Sequence, residues 1–233
     1  YYAIDFTLAE LKTLRVLPRF HLASREPVYP KRYPNGQPTF RIATFEEAIQ
    51  LIQGLNRSTG REAGIYPEIK KPSWHRDEGA DVSVAVLSLL SQYGYSDASA
   101  KCYLQCFELS ETRRLRSELG YRGRLTQLIS DTPEGDDGTD YERLQTAEGL
   151  RELARLVDGI GPPIDLVVRA QDGVHLATPL VSLARKEGLL VHVYTARADA
   201  LPRWADSYED LIETLFSEAK VDGVFTDFPG ARR

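Results

Sequence analysis

The stretch Ile65-Tyr66-Pro67-Glu68-Ile69-Lys70 decides how the rest of the chain is read. Ala63-Gly64 leads into it, β-branched and aromatic residues fill it, and Lys71-Pro72 closes it, which is the composition of a short strand. Side chains alternate along a strand, so Glu68 and Lys70 share one face while Ile65 and Ile69 take the other. A carboxylate beside an ammonium at a strand end has two readings. One is a structural ion pair on a half-buried strand, a common and weak arrangement. The other is a site in which the carboxylate holds a hard divalent cation and the ammonium offsets a phosphate or a developing anion. Spacing alone favours the structural pair.

Downstream, strand and helix patterns alternate. A helix is expected over Asp81 to Tyr93, with Val82, Val86 and Leu90 inward and Gly94 past its end. A strand follows at Cys102 to Phe107, then a helix capped by Ser110 and stopped by Gly120, then a strand at Leu125 to Ile129. Residues 131–140 read as an acidic, glycine-rich, solvated loop. Leu150, Leu153 and Val157 mark a helix, Asp158 to Gly161 a short strand, Asp172-Gly173 a loop, and Ala177 to Lys186 a helix. Leu189 to Thr195 is the most apolar strand; a helix through Leu211, Leu215 and Ala219 and a strand Gly223 to Thr226 complete the chain. Roughly six apolar strands separated by helices predict an α/β fold with a parallel sheet. Polar or aromatic residues recur where the strands end, as on the active face of a (β/α)8 barrel. A doubly wound open sheet is the alternative, without a glycine-rich phosphate loop to support it.

Upstream, residues 1–43 read as a loop-rich, insertion-like segment, distinct from the βα repeats over 44–233, in one domain overall. Its only helical rhythm runs from Asp5 to Leu14; Pro18, Pro27, Pro30, Pro34, Asn35-Gly36 and Pro38 then break the chain, around Tyr29, Arg32, Tyr33, Phe40 and Arg41. Thr44 and Glu47 form a capping box for a helix with the stripe Phe45, Ala48, Ile49, Ile52 and Leu55, ending near Asn56.

The 233 residues suffice for one large core, and the net charge of -5 argues against a general nucleic-acid binder. No apolar run is long enough to span a bilayer. The start at Tyr1-Tyr2 without Met reads as a cut N-terminus, so the missing signal peptide says nothing of location. Cys102 and Cys106, four apart in a strand, stand about 13 Å apart, too far to pair.

Taken together, Gly64-Ile65-Tyr66-Pro67-Glu68-Ile69-Lys70, Tyr103-Leu104-Gln105-Cys106-Phe107, Val191-His192-Val193-Tyr194-Thr195 and Thr226-Asp227-Phe228-Pro229 resemble, in that order, the bacterial glycerophosphodiester phosphodiesterases of the longer periplasmic type. The resemblance implies a TIM (β/α)8 barrel, of which this chain matches strands three to eight. It implies metal-dependent hydrolysis of glycerophosphodiesters to glycerol 3-phosphate and an alcohol, in glycerol and lipid metabolism, with a periplasmic location. On the matching positions it makes Glu68 a metal ligand for calcium or magnesium and Lys70 the catalytic lysine beside the phosphate. It makes Gln105, Phe107 and Tyr194 the lining of the glycerol and phosphate pocket. Arg197 is a further phosphate-reaching candidate, and Asp227 is either functional or the cap of the following turn. Tyr194-Thr195-Ala196-Arg197 departs from the family pattern, in which tryptophan often leads.

The family's His-Arg-Gly strand, its other acidic metal ligands and its two catalytic histidines are not found in residues 1–233, and His21, His75 and His192 stand in the wrong contexts. The chain by itself is therefore expected to be inactive. Trp74 and Trp204 fall in loops and are read as packing on the barrel rim. Two other functions stay open: a barrel remnant serving as a non-catalytic binding module, and a phospholipase-type barrel that forms a cyclic phosphate. The expected partner is a small-molecule substrate, with no nucleic acid, no transmembrane segment in these residues, and homodimer formation open.

Overall fold

The structure, a computed structural model, describes residues 1–30, 32, 40–135, 137–171 and 174–230. Tyr33, Pro34, Asn35-Gly36, Pro38 and the Asp172-Gly173 loop lie outside the described residues. The chain divides into two compact units, Tyr1–Arg61 and Glu62–Arg233.

In the first unit, Thr7 caps helix α1 (Leu8–Thr13) and Thr44 caps helix α2 (Phe45–Thr59), each through a reciprocal box with the glutamate three residues on. Glu47 also takes the Lys12 ammonium, which ties α1 to α2. Helix α2 runs past its expected end at Asn56, because Gly60 at φ 69° supplies the left-handed cap. Within the expected apolar stripe Ile49 is fully buried, whereas Leu55 is exposed.

The second unit is built on strands β1 (Glu68–Ile69), β2 (Tyr103–Cys106), β3 (Arg124–Leu128), β4 (Gly159–Gly161), β5 (Val168–Gln171), β6 (Val174–Ala177), β7 (Leu190–Ala196) and β8 (Gly223–Thr226). Six of them form one parallel sheet in the order β1-β2-β3-β4-β7-β8. Neighbours follow chain order and the order never reverses. A doubly wound sheet would reverse at a switch point, so the sheet is an arc of a βα-barrel. Strands β5 and β6 make a separate antiparallel hairpin that the strand count missed. It takes Ala177, expected in a helix; helix α9 (Leu180–Lys186) begins only after Pro179.

Along each barrel strand one set of side chains meets the helices and the other fills the interior. Cys102, Leu104 and Cys106 of the second strand, Leu125 and Ile129 of the third, and Val191 and Val193 of β7 are buried on the helix side. Helix α4 (Val82–Gln92) packs on β1, α5 (Leu109–Ser117) on β2 and β3, and α8 (Ile164–Val167), α9 and α10 (Tyr208–Glu213) on β7, while α6 (Tyr141–Leu144) and α7 (Ala147–Leu153), between β3 and β4 in the chain, pack on one another. Both cysteines are free, and burial pushes the Cys102 thiol up to about 11, so they act as small core residues.

Two local readings change. Pro72–Asp77, read as a loop, is helix α3, with proline in its first turn where a missing N–H costs nothing. Ser110 does not cap α5; Glu108 is the cap residue and the Ser110 hydroxyl bonds Asp137 instead. Glu111, buried in α5, is held by Arg76 of α3 and by Arg114, which also grips Asp81 at the start of α4. That network joins the helices that follow β1 and β2.

Gly64 enters β1 against the second strand, and a Cβ there would overlap the Lys101 carbonyl oxygen. Gly64→Ala is expected to lower unfolding stability by about 1–3 kcal/mol, the range for forced overpacking. Urea unfolding checks this: the midpoint should fall with the m-value unchanged.

Candidate functional site

The C-terminal ends of the barrel strands surround a cavity of about 430 Å³. Glu68 and Lys70 line it from β1, Gln105 and Phe107 from β2, Tyr194 and Arg197 from β7. All six side chains singled out in the sequence thus face one space. Leu128, Thr195, Phe225, Thr226 and Asp227 complete the wall. Leu128 and Phe225 were not singled out. The strand register places both on the interior face, two residues on from Thr126 and from Gly223, and the sequence alone does not carry that register.

The edge strand is held in place from inside. The Tyr66 hydroxyl lies 2.8 Å from Thr126 Oγ1 and 3.0 Å from His192 Nδ1. Its ring stacks on Tyr103 at 5.1 Å and meets Phe225 edge-on at 4.8 Å. Tyr66 therefore links one sheet edge to the strand at the other edge. The two-residue period carries that orientation to Glu68.

Glu68 Oε1 is 3.5 Å from Lys70 Nζ; the lysine side chain is 76% exposed and the glutamate 21%. A pair this exposed is worth about 0–1 kcal/mol, so the lysine can turn to another anion at little cost. Gln105 is buried, and its amide oxygen has no hydrogen-bond partner among the described residues. That oxygen is itself closed to solvent, so a ligand hydroxyl meets it once the Gln105 amide turns toward the cavity. Arg197 Nε donates to Asp227 Oδ2 at 2.8 Å. The turn after β8 has its Phe228 amide held by Thr226 Oγ1 at 2.9 Å. Tyr194 and Thr195 sit where the β7–β8 register shifts, a bulge that re-aims side chains at the cavity mouth. The Tyr194 hydroxyl donates to the Ile129 carbonyl at 2.8 Å, and burial, helped by Asp131, holds this phenol above its ordinary range. It stays protonated and fixed as a wall.

The expected bystanders fall elsewhere. Trp74 lies on α3, its ring 4.7 Å from that of His75. Trp204 lies beside His175 at 5.4 Å, away from this cavity. His192 is in the barrel interior, and none of the four histidines lines the cavity. Among the described residues no group of three or more His, Cys, Asp or Glu comes together to hold a metal ion.

The Glycerophosphoryl diester phosphodiesterase family pattern matches residues 2–231. A glycerophosphodiester phosphodiesterase of Haemophilus influenzae is 36% identical over 98% of this chain and 68% of its own length. The corresponding protein of Treponema pallidum is 34% identical over 98% of this chain and 70% of its own. A solved structure from Silicibacter pomeroyi, provisionally named a glycerophosphoryl diester phosphodiesterase, superposes with a TM-score of 0.62 at 23% identity. It covers 96% of this chain and 65% of that one, and at that identity it speaks for the fold. The chain thus spans about two thirds of the length of these relatives.

Burial lowers the His192 pKa below its ordinary 6.5, with Asp222 opposing. Between the folded and unfolded values the unfolded chain binds more protons, so stability rises with pH there and is lost as pH falls below about 6.5. His192→Gln should flatten this part of the profile. Urea unfolding at pH 5 and 7 measures it; equal losses in variant and parent would contradict the assignment.

Proposed function

Since this chain belongs to the glycerophosphoryl diester phosphodiesterase family, we propose that its 430 Å³ cavity binds the glycerophosphoryl group of a glycerophosphodiester. The reaction is hydrolysis: a water oxygen bonds to phosphorus, the ester bond to the alcohol breaks, the alcohol leaves with a proton, and glycerol 3-phosphate remains. The observation that carries the assignment of residues is that Glu68, Lys70 and Gln105 face one cavity with Phe107, Tyr194 and Arg197.

Each residue has a task set by its chemistry. Lys70 offsets phosphate charge, which grows on the equatorial oxygens as water adds. Arg197, with its planar fork of donors, flanks the same oxygens while Asp227 fixes its direction. The Gln105 amide oxygen accepts from a glycerol hydroxyl. Phe107 and Tyr194, whose rings meet edge to face with centroids 6.1 Å apart, form one apolar wall for the glycerol carbons and exclude water from that side.

The oxygen donors fit a divalent cation in part. Glu68 supplies one hard ligand, and calcium or magnesium suits it better than zinc. Among the described residues no group of three or more His, Cys, Asp or Glu stands beside it, so Glu68 is the ligand assigned to the ion from this wall. Bound there, such an ion would polarise the phosphoryl oxygen. The resemblance of the sequence also supports a periplasmic location.

Calorimetry tests the site. Glycerol 3-phosphate should bind, and Lys70→Met should weaken it by roughly tenfold or more, as for a lost charge-assisted contact. Unchanged affinity would remove Lys70 from the phosphate. Glu68→Gln should abolish any gain from added calcium or magnesium. With no histidine at the cavity, the 233-residue chain on its own should hydrolyse glycerophosphocholine no faster than buffer. Phosphorus NMR reads this directly: glycerol 3-phosphate above the blank would place the acid–base pair within these residues, and a cyclic phosphate would favour the cyclising barrel.

A further inference from the structure

Next to the proposed glycerophosphoryl cavity lies a larger one of about 880 Å³. The two share Tyr194, Thr195 and Arg197, so they are separated only by the end of β7. The larger cavity is walled by the segment that precedes the β5–β6 hairpin, by the start of β5, and by residues 200–204. Its ionisable lining is one-sided: Arg169, Arg197 and Arg203 against the single carboxylate of Asp165. Arg197 is already engaged by Asp227. Arg169 uses its Nε on the Asp165 carbonyl at 3.4 Å, and the two terminal nitrogens of its fork remain as further donors. Two guanidinium groups from different segments therefore outnumber the carboxylate. Trp204 and Tyr194 add aromatic faces.

We propose that this cavity receives the alcohol moiety of the diester and that Arg169 and Arg203 select alcohols bearing an anionic group, a carboxylate or a phosphate. The inference rests on the preceding reading in one respect, that the phosphoryl group lies on the Glu68 side of β7. Geometry then puts the ester oxygen of the leaving alcohol at the shared wall of Tyr194, Thr195 and Arg197, with the alcohol directed into the larger space. Its volume exceeds what a small headgroup needs, so charge rather than shape discriminates. Guanidinium forks match carboxylate and phosphate oxygens bidentately. A quaternary ammonium is the competing occupant, because Trp204 and Tyr194 could form part of an aromatic cage. The excess of guanidinium over carboxylate opposes it.

The test is independent of turnover. The chain holds two tryptophans, so Trp74→Phe leaves Trp204 as the single indole reporter. This protein is titrated with D-glycerate, glycerol and choline chloride at fixed ionic strength while Trp204 emission is followed. Glycerate should give a saturable change at an affinity about fivefold or more above that of choline, a size suited to exposed charges. Arg169→Gln with Arg203→Gln should reduce glycerate affinity about fivefold and leave glycerol 3-phosphate affinity by calorimetry unchanged. Tighter binding of choline, or glycerate affinity unaltered in the double variant, would overturn the proposal. Loss of glycerol 3-phosphate binding in the unmutated chain would count against the phosphoryl site alone, since the Trp204 signal reports a different cavity.

Discussion

One half-buried phenol ties the two edges of the second unit's sheet together. Tyr66 stands at the edge of the six-stranded sheet, yet its hydroxyl reaches Thr126 and His192, and its ring meets Phe225 of the opposite edge strand. A flat parallel sheet of six strands would place those edges tens of ångströms apart at about 4.8 Å per strand. The contact is possible only because the sheet curls. The interior is filled by polar and aromatic groups in mutual contact, not by aliphatic layers alone. Glycines permit that filling: a Cβ on Gly223 would lie 2.8 Å from the His192 ring.

The same curl assembles the cavity. Glu68 lies two positions from Tyr66, and in register it sits opposite Gln105. Each strand contributes side chains at its carboxyl end, so residues distant in sequence converge without any single loop carrying the site. The electrostatics suit an exchange of partners. Lys70 is mostly exposed and its contact with Glu68 is long. By contrast the Glu111–Arg76–Arg114–Asp81 network is partly to fully buried and satisfied from several sides. The first kind of pair gives up its partner readily; the second ties helices together, because an unpaired buried carboxylate would be costly.

The Glu68–Lys70 pair alone could not be told from a structural ion pair. The resemblance of Gly64–Lys70 and of three later segments to one family made the pair a site candidate, and the structure brings the matching residues into one space. Leu128 and Phe225 escaped notice because an apolar residue on an apolar strand carries no signal of which face it takes. The β5–β6 hairpin escaped because each arm is only four residues long, too short for periodicity to separate it from loop. Helix α3 was hidden by His75 and Arg76, which give it no apolar stripe.

The sequence by itself determined the six strands of the parallel sheet and most of the helices between them, the capping box at Thr44, and the face shared by Glu68 and Lys70. These follow from local periods and propensities, which the chain carries within a few residues. Only the tertiary structure decided that Arg197 pairs with Asp227, that Gln105 keeps an unmet acceptor in the wall, and that a second, arginine-lined cavity opens across β7. Those facts depend on how far the sheet curls and where the hairpin folds back, and both are set by contacts between residues tens of positions apart, such as Tyr66 with His192.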